Sequence, residues 1–120
     1  MSLLDVTDTA PLRRMSVARG TLTGVPAGAK ADLGLAEAAA VQAVKATDRF
    51  VPTQHAVQPT HVQVDIDQDG EAVSVTVTVQ AFARRELDTA ALTGVAAALL
   101  TLRDQLGAAR LDLHLVQNVA

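Results

Sequence analysis

The chain has 120 residues and a formal net charge of −3 at pH 7, and its ten lysines and arginines are scattered, so the basic footprint of a nucleic-acid binder is missing. It contains no cysteine, which excludes disulfides and thiolate metal sites. Nearly half the residues are apolar, but most of these are Ala and Val, with two Phe and neither Trp nor Tyr. A core of small aliphatic side chains is therefore expected. This length suits one domain over residues 1–120, with limited room for a self-contained active site. A site shared between subunits is the expectation. The N-terminus MSLLDVTD is too acidic for a secretion signal, and no uncharged apolar stretch is long enough to span a bilayer, so a cytoplasmic protein with no membrane partner is expected.

In chain order, Ser16 to Thr23 has strand-like residues, Gly24, Pro26 and Gly28 mark a turn, and Asp32 to Thr47 is rich in helix formers. Phe50 to Thr60 carries Pro52 and Pro59 and predicts irregular structure. Val62, Val64 and Ile66 alternate before the turn signal Asp69-Gly70, and Val73, Val75, Val77 and Val79 alternate after it, which predicts a β-hairpin. From about Asp88 to Leu106, the residues Leu92, Val95, Leu99, Leu102 and Leu106 recur at steps of three and four, the period of a helix with one apolar face. Leu111, Leu113 and Leu115 then alternate as a last strand. The order β-α-β-β-α-β predicts an α+β, ferredoxin-like fold, an antiparallel sheet covered on one face by two helices.

Several stretches, in the same order and nearly without gaps, resemble the MoaC-like cyclic pyranopterin monophosphate synthases of molybdenum cofactor biosynthesis. The run ALTGVAAALLTLRD resembles the long helix of that family, with Asp104 at the position of its acid. LLDVTDTAPLRR resembles the family's N-terminal arm, and places Asp5 and Arg14 at an acid and an arginine of its active site. Lys30-Ala31-Asp32 resembles the Lys-Gly-Asp that carries a catalytic lysine. VKATDRFVPTQHAV keeps Lys45, Pro52 and His55 of another family segment, and ELDTAALT keeps the acid Asp88. The chain also departs from the pattern. Gly107 stands where a second catalytic lysine belongs, and Thr9, Gln54, Ala56 and Ala90 replace a lysine, a cysteine, a proline and an acid. The family's glycine- and lysine-rich tail is not expected, as the sequence stops at Ala120.

The resemblance implies a site for a cyclised dihydro derivative of GTP, which is rearranged to a pyranopterin bearing a cyclic phosphate with release of pyrophosphate. It implies a homo-oligomer, a hexameric trimer of dimers in known members, with the site between subunits, and no cofactor. A triphosphate needs fixed cations, and ring opening and closure need groups that pass protons. Lys30, His55, Asp104 and Asp5 are thereby candidate catalytic residues, and Arg14, Lys45 and Asp88 candidate substrate-binding residues. Arg103 and Arg110 are candidate substitutes for the cation missing at Gly107, in its electrostatic role alone. The alternative function is that of a non-catalytic relative which keeps the fold and oligomer surface and binds a nucleotide or a complete paralogue. Convergence of an unrelated protein on a common fold is a third reading.

Each residue also has a plainer reading. A histidine between prolines is by itself a loop residue, Lys45 suits a helix C-terminus, and Asp88 is equally an N-cap. Gly107 suits the left-handed terminator of the last helix. Asp104 lies in a last turn, where the helix dipole disfavours an acid, so a compensating partner or a functional role is expected. Asp65, Asp67, Asp69 and Gly70 match the start of an EF-hand calcium loop, but position twelve is Thr76 where a bidentate glutamate is needed. His61 and His114 lie on separate strands, so no metal site is proposed.

Overall fold

The computed structural model describes residues 11–107 and 110–119. Its elements are β1 (Leu12–Thr23), α1 (Leu33–Lys45), the single turn α2 (Thr47–Phe50), β2 (His61–Asp69), β3 (Ala72–Ala83), α3 (Asp88–Leu106) and β4 (Arg110–Val119). The strands form one sheet in the order β2-β3-β1-β4, with every neighbouring pair antiparallel. β1 and β2 consequently run parallel with β3 between them, the split βαβ arrangement of a ferredoxin-like α+β fold.

Period-two patterning decides which face of the sheet is covered. Val73, Val75, Val77 and Val79 of β3 are buried beneath the helices, while Ser74, Thr76, Thr78 and Gln80 turn to the opposite face. On β1 the covered positions are Ser16, Ala18, Gly20 and Leu22. The helices supply matching stripes: Ala36, Ala40 and Val44 from α1, and Ala91, Val95, Ala98, Leu99, Leu102 and Leu106 from α3. Burial of Leu99 or Leu102 contributes roughly 1.5–3 kcal/mol each. The core is assembled from Ala, Val and Leu, and both phenylalanines lie outside it, Phe50 67% and Phe82 61% exposed.

Small residues let α3 sit close to the sheet. A Cβ at Gly20 would lie 2.4 Å from Leu99 Cδ1, 2.7 Å from Val95 Cγ1 and 2.9 Å from the carbonyl oxygen of Asp112. β1 therefore has no room for a side chain where α3 crosses it.

Three boundaries differ from the expectation. β1 begins at Leu12, four residues before Ser16, because Arg14 takes a covered position and satisfies its guanidinium on the carbonyls of Ala83 (3.1 Å) and Arg84 (3.4 Å). The helix expected through Thr47 ends at Lys45, and α2 follows. The break falls at Ala46, and buried Thr47 follows it with its hydroxyl proton shared between the carbonyls of Ala43 and Val44. In the hairpin, Asp69 pairs with Ala72, so Gly70 and Glu71 form a two-residue loop. Asp65, Asp67 and Asp69 lie along β2 rather than around a loop, and His61 and His114 occupy opposite edge strands. No helix among the described residues is long and apolar enough to cross a membrane.

Candidate functional site

The candidate residues within the described part of the chain lie toward two ends of the domain. At the first end, the connection 51–60 carries His55 past the end of β3. The histidine is half-buried, and its Nδ1 is inaccessible and has no hydrogen-bond partner among the described residues. It lines a cleft of about 330 Å³ together with Pro11, Ala56, Val57, Phe82 and Arg84. Ala56 is also a wall of a larger cleft, about 720 Å³, lined by Lys45, Asp48, Arg49, Phe50 and Ala97. Lys45 closes the last turn of α1 and is exposed there. Arg14 donates to the carbonyls of Ala83 and Arg84, two residues that line the His55 cleft.

Asp88 belongs to the same end. The N-cap of α3 is Leu87, without a side-chain cap, and Asp88 is the first helical residue. The reading of Asp88 as N-cap is therefore corrected. Its carboxylate accepts a 2.7 Å hydrogen bond from the buried hydroxyl of Ser16, two residues beyond Arg14 on the same face of β1. An acid in the first turn also meets the positive end of the helix dipole.

At the second end lie Lys30 and Asp104. Asp32 caps α1 by accepting from the backbone N–H of Leu35 (3.1 Å), and its own N–H donates to Oε1 of Gln105 (2.6 Å). That bond ties the Lys30 segment to the last turn of α3, which carries Asp104. Both Lys30 and Asp104 are exposed. No ion pair to Asp104 is found among the described residues, and its side chain is exposed, on the opposite side of the last turn from buried Leu102 and Leu106. Gly107 adopts φ 71°, ψ 22° and donates its N–H to the carbonyl of Arg103, the left-handed terminator that its position suggested. Arg103 is exposed on the same turn, and Arg110 pairs with Asp112 at 3.1 Å.

The two ends do not meet within one chain. From Asp88 to Asp104 along α3 is sixteen residues, about 24 Å at the helical rise. One copy places His55, Lys45, Arg14 and Asp88 toward one end, with His55 and Lys45 in neighbouring clefts that share Ala56, and Lys30 and Asp104 toward the other. Asp5 and Thr9 lie outside the described residues.

A sequence model of the MoaC family matches residues 3–119, nearly the whole chain. The chain belongs to the MoaC family. The molecule is thus a relative of proteins of molybdopterin biosynthesis, and the ferredoxin-like sheet with its two long helices is the frame on which this MoaC family member carries the candidate residues.

Two residues of the site were not singled out from the sequence. Ser16 holds Asp88, and Arg85 donates from Nη1 to the carbonyl of Thr53 at 2.8 Å, fastening the His55 connection to the segment between β3 and α3. Gln54, in the place of the family's cysteine, is buried beside His55. The contacts of Ser16 and Arg85 join residues 72 and 32 positions apart, which no local pattern reveals.

Proposed function

We propose that this MoaC family member converts cyclised dihydro-GTP to cyclic pyranopterin monophosphate, with release of pyrophosphate, at a site completed by a second copy of the chain. The observation that carries this reading is the division of the candidate residues between the two ends of α3. A single site is recovered when the end bearing Lys30 and Asp104 in one copy faces the end bearing His55, Lys45 and Arg14 in another. Lys30, Lys45 and Arg14 then offset the triphosphate and the departing pyrophosphate. His55 and Asp104, with Asp5 of the arm, pass protons during ring opening and closure. The Nδ1 of His55, buried and without a hydrogen-bond partner among the described residues, supports this role, because such an atom is uncommon in a folded protein and a functional partner accounts for it.

Self-association has its own support. Phe50, Leu92, Leu100 and Leu113 line an apolar groove between the helices and the β4 edge, and Leu115 continues the exposed surface. Contiguous apolar surface of this kind marks interaction sites. Incubating the protein with the cyclised dihydro-GTP substrate and following pyrophosphate and pyranopterin is the test. Turnover lost in a His55→Ala variant supports the reading, and absence of turnover from folded, associated protein overturns it.

One observation favours the second reading, a non-catalytic relative that binds a nucleotide or a complete paralogue. Gly107 is committed to ending α3 in a left-handed conformation, where the family places a lysine. Nucleotide binding without turnover is the result that distinguishes this reading.

A further inference from the structure

The connection between α2 and β2 is long, carries two prolines and holds the histidine of the site, yet few polar contacts restrain it. Its ends are secured by the N–H of Val51 on the carbonyl of Thr47 and by Thr60, whose N–H and hydroxyl both donate to the carbonyl of Gln80. Gln54 closes a local turn on the carbonyl of Val51 and is buried, as is Val57. Between these points, the side-chain hydrogen bond that reaches the connection among the described residues comes from Arg85, whose Nη1 lies 2.8 Å from the carbonyl oxygen of Thr53. Arg85 is half-buried and stands in the segment joining β3 to α3, next to Arg84 of the His55 cleft. The bond is charge-assisted and short, and it is open to solvent.

We infer that Arg85 is a positioning residue, which holds the His55 connection against the β3–α3 segment and so fixes the imidazole in its cleft. Its bond falls two residues before His55, and the buried Gln54 between them leaves the backbone little freedom to pivot once Thr53 is held. That this order serves chemistry rests on the reading of His55 as a site residue.

The test compares the full-length protein with Arg85→Ala and Arg85→Lys by NMR. In Arg85→Ala, amide exchange over residues 53–58 is expected to rise by about tenfold, the effect of losing one charged hydrogen bond. The His55 ring signals are expected to move, while β3 amides and Tm stay as in the parent. Arg85→Lys keeps one donor and is expected to recover part of the loop protection. In the turnover assay, kcat falls in Arg85→Ala with little change in KM. Unchanged loop exchange and unmoved His55 signals would overturn the inference. So would a loss of protection spread evenly over the domain, or an Arg85→Lys variant no more ordered than Arg85→Ala. Should the parent show no turnover, the NMR result still decides whether Arg85 positions His55, and only the catalytic reading falls.

Discussion

The hydroxyl of Ser16, fully buried in β1, donates a 2.7 Å hydrogen bond to Oδ1 of Asp88 in the first turn of α3. The strand and the long helix are thereby joined at the same end of the domain that holds His55. A candidate substrate-binding acid is held in place by a residue that the sequence alone does not single out.

Ser16→Ala removes that bond from a buried position and is expected to lower stability by about 1–3 kcal/mol. Urea denaturation checks it, read as a lower midpoint at unchanged slope. A change within about 0.5 kcal/mol, the range of ordinary surface substitutions, would show that the bond contributes little.

Gly20→Ala places a Cβ against Leu99, Val95 and the carbonyl of Asp112. The side chains can shift but the carbonyl belongs to the neighbouring strand, so a loss of about 1–3 kcal/mol is expected from overpacking. Thermal unfolding measures it. A variant as stable as the parent would mean that α3 lifts from the sheet without cost.

Gly107→Lys restores the family's residue but asks a side-chain-bearing residue to take φ 71°, a conformation costing roughly 1–2 kcal/mol. Open space surrounds the position, so the backbone and not crowding sets this cost. Gly107→Asn should lose less, since asparagine tolerates the left-handed region. Equal losses for Lys and Asn in chemical denaturation would contradict the backbone origin. If the cation limits the parent's rate, Gly107→Lys also raises turnover.

Leu100 and Leu113 are 58% and 42% exposed in the groove beside β4. Leu100→Asp and Leu113→Asp are expected to shift the protein toward a monomer in light scattering while leaving its folded stability within about 0.5 kcal/mol. An unchanged particle mass in both variants would move the self-association surface elsewhere.

Much of the fold is legible in the sequence where one period dominates. The bounds of α3, Asp88 to Leu106, coincide with its three-and-four spacing, and the β2–β3 hairpin with its alternating valines. Legibility fails where a polar residue is satisfied by a distant part of the chain. Arg14 reads as a residue before the strand until the carbonyls of Ala83 and Arg84 are in place. The candidate residues of the site were legible by resemblance, but not their division between two ends of α3, which depends on tertiary packing. For the same reason no local pattern marks Arg85 or Ser16.

The most direct measurement mixes two inactive variants. His55→Ala and Asp104→Ala are each purified, shown to be folded, and assayed alone and after subunit exchange for pyranopterin formation from cyclised dihydro-GTP. A site built from the His55 end of one copy and the Asp104 end of another leaves one intact site in each mixed pair, so turnover absent from either variant alone returns on mixing. Mixed oligomers that form and remain as inactive as the separate variants, from a parent that turns over, would contradict a site shared between copies.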